Sequence, residues 1–268
     1  MKGLTKILKL AFLDVFYYIK TYKWAFIIWA IIFPISDLIR YYLRGRFVGT
    51  VNFLGMNVDY FIFTLCVSLL TPWVFNSIRT LYHYFYRRSV SEMPYLFDYP
   101  VLYVVVIRSC VPAVINLISA LIFVFVMSFF TKINPIVIYF IALFYFFALF
   151  YSVFSLSLLF GGLAMKIRGY DFDTFYMLIS NSVLWILIPT TYSLLKFIPI
   201  NMHEYLIFIP WTAIIESFRL TILEGFSYLS FFYLIGSIIV STFYNFLGYL
   251  FFNYMFKKAR IYGWLFRE

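Results

Sequence analysis

The stretch INPIVIYFIALFYFFALFYSVFSLSLLFGGLAM, from Ile133 to Met165, contains no charged residue and no histidine. A helix needs about 20 mostly apolar residues to cross ~30 Å of hydrocarbon, and this stretch is longer than that. Four further runs share the property: Tyr60–Ile78, Ser109–Thr131, Thr174–Leu195 and Phe226–Phe256. Of the 268 residues, 65% are apolar and 12% charged, against roughly 45–50% apolar in soluble domains. A soluble single domain is excluded.

A sixth run, Trp24 to Leu43, is apolar as far as Ile35 and then carries Ser36, Asp37 and Arg40, with Pro34 as the expected site of a kink. Charges near a helix end extend to the interface. The expected fold is therefore an all-α integral membrane protein of six spans, and an even number returns both termini to one side.

Lysine and arginine set the orientation. With the termini inside, Lys2, Lys6, Lys9, Lys20, Lys23, Arg79, Arg87, Arg88, Arg108, Lys166, Arg168, Lys257, Lys258, Arg260 and Arg267 fall on the cytoplasmic side. Only Arg40, Arg44, Arg46, Lys132, Lys196 and Arg219 fall on the external one. A multi-pass protein of the plasma membrane with cytoplasmic termini is expected. The net charge of +10 is then mostly a topogenic signal, and no polar domain gathers it into a nucleic-acid patch.

Residues 1–23 form a first unit, 24–256 the six-helix domain and 257–268 a basic cytoplasmic tail. In the first unit Leu4, Ile7, Leu8, Ala11, Phe12, Val15 and Ile19 recur at helical spacing, with Lys2, Lys6, Lys9 and Lys20 mostly off that stripe. Such a pattern describes an amphipathic helix on the inner membrane surface. The other reading is an extension that packs its stripe on protein.

Several chemistries are excluded. None of the 11 glycines is followed by lysine, so the G-x-x-x-x-G-K-[ST] phosphate loop is missing and the chain is not its own P-loop ATPase. Charge-free span interiors offer no acid, base or metal ligand to an intramembrane enzyme. Nor do they hold the ionisable midplane site that ion-driven transporters use. Cys66 and Cys110 lie in apolar runs and read as core thiols, while His83 and His203 lack partners at metal-ligand spacing. No catalytic residue, metal or cofactor is expected on this chain. The 25 Tyr and 36 Phe fit packing and interfacial belts; an aromatic conduit for sugars or apolar ligands is the alternative.

Two connecting segments carry information. The cytoplasmic one, Arg79 to Asp98, reads RTLYHYFYRRSVSEMPYLFD. Ser89 or Ser91 suits a helix cap, with Glu92 and Pro94 in the first turn, which leaves Tyr95, Leu96 and Phe97 to dock on a soluble partner; a plain topogenic loop is the other reading. The external one, Lys196 to Gly225, contains the apolar stretch Tyr205–Ile215, too short to cross and of re-entrant or interfacial length. Pro189, Pro199 and Pro210 punctuate the approach. Glu216 and Arg219 stand three apart on one helix face, where they can pair, and Gly225 closes a short helix.

This order of residues, Pro189 … Ile198-Pro199 … Ile209-Pro210-Trp211 … Glu216 … Arg219 … Gly225, resembles the C-terminal signature of ABC-2 type membrane permeases. In that family a proline in span five precedes a Leu-Pro pair, an Asn-Pro pair, Glu and Arg six and nine residues beyond, and a glycine. This chain keeps the spacing and has Ile209 in place of the Asn. The six-span layout extends the likeness over the whole chain.

The resemblance implies a transmembrane subunit of an ABC exporter, pairing with a second copy or a paralogue and with two cytoplasmic ATPase subunits that carry ATP and Mg. It assigns Arg87, Arg88, Glu92, Tyr95, Phe97 and Asp98 to the coupling segment, with Ser89-Val-Ser-Glu92 where the family commonly has Gly-Thr-x-Glu. The N-terminal helix falls at the same interface. External re-entrant helices over 196–225 then form an outer gate containing Pro199, Pro210, Trp211, Glu216 and Arg219. The expected substrate is hydrophobic or amphipathic. A lipid-linked glycan exporter and a non-transporting membrane scaffold are the alternatives.

Overall fold

The computed structural model describes residues 2–68, 70, 118–131, 133–166, 174, 178 and 192–262, and these are mostly helical. The N-terminal helix α1 (Lys2–Thr21) leads through Tyr22 into α2 (Lys23–Ile27), a π-helical turn (Ile28–Ile32) and α3 (Phe33–Val48). Pro34 explains the turn. It has no N–H to return to Ala30, four residues earlier, and the helix widens there. The freed Ala30 carbonyl accepts a 3.2 Å bond from Ser119 Oγ on helix α5 (Ile118–Thr131).

After α3 the chain makes an antiparallel hairpin of β1 (Thr50–Phe53) and β2 (Met56–Asp59), with Thr50 opposite Asp59 and Phe53 opposite Met56. The mostly helical structure fits the all-α expectation, and this hairpin is a short exception within a connection. Leu54 and Gly55, at φ 50° and 89°, form the two-residue turn of the twist that hairpins favour. Asn52 Oδ1 accepts the Gly55 N–H. The hairpin lies in a short polar connector between charge-free runs, where no long apolar pattern marks it. Asp59 then accepts the Phe61 N–H at 2.7 Å, starting α4 (Tyr60–Ser68) where the sequence run begins.

Helix α6 (Pro135–Lys166) starts on an Asn134–Pro135 cap, with Asn134 Oδ1 accepting the Ile136 N–H. Short 3₁₀ turns at Leu194–Lys196 and Ile200–Phe208 precede α7 (Pro210–Glu224) and α8 (Tyr228–Ile261). The expected span Thr174–Leu195 does not continue to Leu195, because Ser193 is extended at φ −110°, ψ 133° and caps the first 3₁₀ turn. Likewise Tyr205–Ile215 is not one segment: Pro210 lacks the N–H a continuing helix would need, so the chain breaks at Ile209.

Among the described residues, three helical runs are long and apolar enough to cross a membrane: Lys23–Val48, Ile136–Leu163 and Tyr228–Ala259. Their relative directions follow from contacts. Tyr151 bonds Thr242 and Asn245, Gly248 abuts Ser155, and Gly162 abuts Phe251, so α6 and α8 run parallel. Small residues permit this approach: Ser152, Ser155, Ser237 and Ser241 are buried along the seam. Ser119 lies beside Ala30, and the ring of Phe130 lies beside that of Phe61. Phe61 in turn packs against Gly45. Thus α5 runs parallel to α3, with α4 antiparallel to both.

One end of the bundle therefore carries the hairpin, Asn134 and the 192–227 segment. The other carries α1, Lys166 and the end of α8. At Gly45 a Cβ would stand 2.8 Å from Phe61 Cβ and 3.2 Å from its backbone nitrogen, so Gly45→Ala must push α3 from α4. Thermal unfolding in detergent is expected to show a loss of about 1–3 kcal/mol; an unchanged midpoint would refute this packing.

Candidate functional site

Helix α7 is short, yet every residue from Pro210 to Ile222 is buried. Its placement begins with the segment before it. Tyr233 Oη donates to the His203 carbonyl and Tyr244 Oη to the Phe208 carbonyl, while Ile207 packs on Gly236. From His203 to Phe208 the chain thus descends along α8 by about 10 Å. It turns at Ile209–Pro210 and climbs back as α7, and Ser217 Oγ reaches the Ser230 carbonyl near the start of α8. Gly225, at φ 87°, ends the climb. Ser227 opens α8 with a reciprocal cap to Ser230.

Descending chain outside a regular α-helix leaves carbonyls that an apolar environment cannot satisfy, and side chains meet this demand. His203 Nε2 lies 2.9 Å from the Leu195 carbonyl and 3.0 Å from that of Ile198; as both are acceptors, that nitrogen carries the proton. The Tyr233 and Tyr244 hydroxyls cover two more carbonyls, and Arg219 Nη2 donates to the Tyr192 carbonyl at 3.3 Å.

At the centre, Arg219 Nη1 donates to Glu216 Oε2 at 2.6 Å, with both side chains fully buried. The other carboxylate oxygen, Oε1, accepts from Ser193 Oγ at 2.8 Å and the Leu194 N–H at 3.0 Å. The guanidinium lies 4.1 Å from the Phe63 ring centroid and 5.9 Å from that of Phe53, a cation–π arrangement in a dry setting. Leu195, Leu206, Ala213, Leu220 and Tyr233 complete the apolar shell around Phe53 and Phe63. On the opposite face Tyr145 Oη lies 2.9 Å from Ser217 Oγ and 2.7 Å from Thr221 Oγ1. One short helix is thereby tied to the hairpin, α4, α6, α8 and the 193–198 turn.

Of the residues assigned to the outer gate, Glu216 and Arg219 meet, Pro210 occupies the first turn of α7, and Trp211 is buried beside it with no partner for its indole N–H among the described residues. Pro199 stands apart, exposed at the start of the second 3₁₀ turn. The coupling residues Arg87, Arg88, Glu92, Tyr95, Phe97 and Asp98 lie outside the described residues. So do His83 and Cys110, while Cys66 is buried on α4 with a free thiol. Sequence reading missed Ser193, His203, Tyr145, Phe53 and Phe63. For His203 the only signal was a lone polar residue in an apolar approach. Among the described residues no group of His, Cys, Asp and Glu is arranged to hold a metal ion. Comparison with family models and with curated proteins finds no match.

Breaking a buried pair leaves one charge uncompensated, at about 3–5 kcal/mol. Arg219→Met is expected to lower stability in detergent by that amount, and Glu216→Gln/Arg219→Met to recover a large part of it. Equal losses in the single and double variants would refute pairwise compensation at this site.

Proposed function

We propose that the chain is the transmembrane permease subunit of an ATP-driven ABC-2 exporter, moving a hydrophobic or amphipathic substrate outward. The observation that carries this reading is the in-and-out segment 199–225: a broken descent, a buried helix holding Glu216 and Arg219, and a glycine stop just before the last long helix. Permeases of this family have re-entrant helices between spans five and six, and this segment suits that role. Parallel packing of α6 and α8 supports six spans, since a chain leaving α6 at one end must return to the other before α8 begins. Most of the fifth charge-free run, Thr174–Leu195, stands between them in the sequence.

In this reading the termini are cytoplasmic at the plasma membrane, and two copies, or one with a paralogue, form the pathway. ATP and Mg act on two separate cytoplasmic ATPase subunits, whose closure is transmitted through residues 79–98. The chain's own residues do no chemistry. Glu216 and Arg219 hold the external segment as one stiff unit that moves with the helices it is bonded to.

The test is ATP hydrolysis by the complex extracted intact from native membranes. The complex should contain a P-loop ATPase, and Glu92→Ala/Asp98→Ala should lower its hydrolysis rate at least tenfold while the chain remains folded. Extraction without an ATPase, or unchanged hydrolysis in the variant, would defeat the proposal and favour a scaffold.

A further inference from the structure

Helix α3 presents three faces. Pro34, Leu38 and Gly45 share the buried one. Ile35, Ile39 and Leu43, all exposed, fall within a second arc of about 80°. Ser36, Asp37, Arg40 and Arg44 fall within a third of about 100°, bounded along the axis by Phe33 and Phe47. Lipid does not stabilise this third face. Lys23 and Gly45, towards opposite ends of the run, are about 33 Å apart along it, close to the ~30 Å of hydrocarbon. Asp37 then lies about 12 Å, and Arg40 about 8 Å, inside the level of Gly45. Arg40 Nη2 donates to Asp37 Oδ1, with side chains 55% and 38% exposed, and its guanidinium stands 5.7 Å from the Tyr41 ring centroid. An arginine surrounded by lipid extends toward the headgroups. Arg40 instead reaches deeper, to Asp37, contrary to the interfacial extension expected from the sequence. Arg44 makes no hydrogen bond or ion pair among the described residues. One carboxylate therefore faces two guanidinium groups, and the patch keeps an excess of positive charge.

We infer that this face binds the anionic head of an amphipathic molecule whose tail lies along Ile35, Ile39 and Leu43. The guanidinium fork matches the oxygens of a phosphate or carboxylate, and Asp37 holds that of Arg40 below the outer boundary. The apolar arc begins where the polar one ends, with Ser36 at the border, so a head and a chain fit side by side on one helix. A second copy of the chain fits less well. In a membrane two copies are related by an axis along its normal, which brings like residues to like depth and sets the excess charge of each against the other. Calling the bound molecule the substrate rests on the exporter reading, and narrows that substrate to amphipaths with an anionic head. Binding itself rests on α3 alone.

The experiment uses the full chain in dodecyl maltoside, a neutral detergent, with Cys66 and Cys110 replaced by alanine and one new thiol, Ser36→Cys or Ile39→Cys. A water-soluble sulfonate-bearing methanethiosulfonate reports which thiol meets water. The Ser36→Cys thiol should react about tenfold faster than the Ile39→Cys thiol, although it lies deeper, because only a hydrated thiol ionises readily. Dodecyl phosphate should slow the Ser36→Cys reaction to a plateau, whereas dodecyltrimethylammonium and inorganic phosphate at the same concentration should not. Arg40→Gln/Arg44→Gln should raise the half-protecting concentration about tenfold, and Arg40→Lys/Arg44→Lys should restore part of the protection. Equal rates at the two thiols, equal protection by the cationic amphipath or by inorganic phosphate, or an unchanged half-protecting concentration in the glutamine variant would overturn the inference. Each outcome is separate from ATP hydrolysis by the extracted complex, which tests the exporter reading.

Discussion

The buried contact between Glu216 and Arg219 is the constraint around which the described part of the molecule is arranged. Two opposite charges leave water at a cost that their attraction recovers only when the remaining donors and acceptors are also satisfied. That condition dictates the surroundings. The carboxylate recruits Ser193 and the Leu194 N–H, which fixes the turn into the descending segment. The guanidinium takes the Tyr192 carbonyl and faces Phe63 and Phe53, which fixes the hairpin and the start of α4. A pair three residues apart on one helix thus determines the position of elements more than a hundred residues away in sequence.

Proline sets the second half of the arrangement. Pro34, Pro135 and Pro210 each remove a backbone donor inside an apolar chain, and each is answered differently. Ser119 caps the carbonyl freed by Pro34. Pro135 and Pro210 instead occupy first turns, where no donor is missed. The price of irregular backbone is then met by His203 Nε2 and the Tyr233 and Tyr244 hydroxyls, which end on main-chain carbonyls. These residues are hydrogen-bond partners of the backbone first, and their conformations leave little freedom for chemistry.

Much of this was legible in the sequence, for a physical reason. Long charge-free runs have few alternatives to helix in an apolar medium, so Ile133–Met165 and Phe226–Phe256 correspond to α6 and α8 within a few residues. The Glu216–Arg219 pair and the Gly225 stop were readable because both depend on local spacing. What escaped depends on contacts distant in the chain. Nothing near Phe53 announces that its ring will face Arg219, and nothing near Tyr145 announces Ser217 and Thr221. The hairpin was missed because its signal is a two-residue turn, Leu54-Gly55, in which only one residue is the expected type. The seam of α6 and α8 uses serine spread over several turns, which leaves no compact sequence signal.

These bonds also bear on how a pathway could open. Helix α7 is tied to α6 by Tyr145, to α8 by Ser217, to α4 and the hairpin by Arg219, and to the incoming turn by Glu216. Moving α7 against any one of these neighbours would expose a charge or a hydroxyl to an apolar surface, at about 1–3 kcal/mol for each neutral group and more for a charged one. Moving all of them together costs none of this. In the proposed exporter the boundary that separates must therefore lie where the described chain has few polar ties, on its outward apolar faces. Opening between two copies meets that requirement, and opening within one does not.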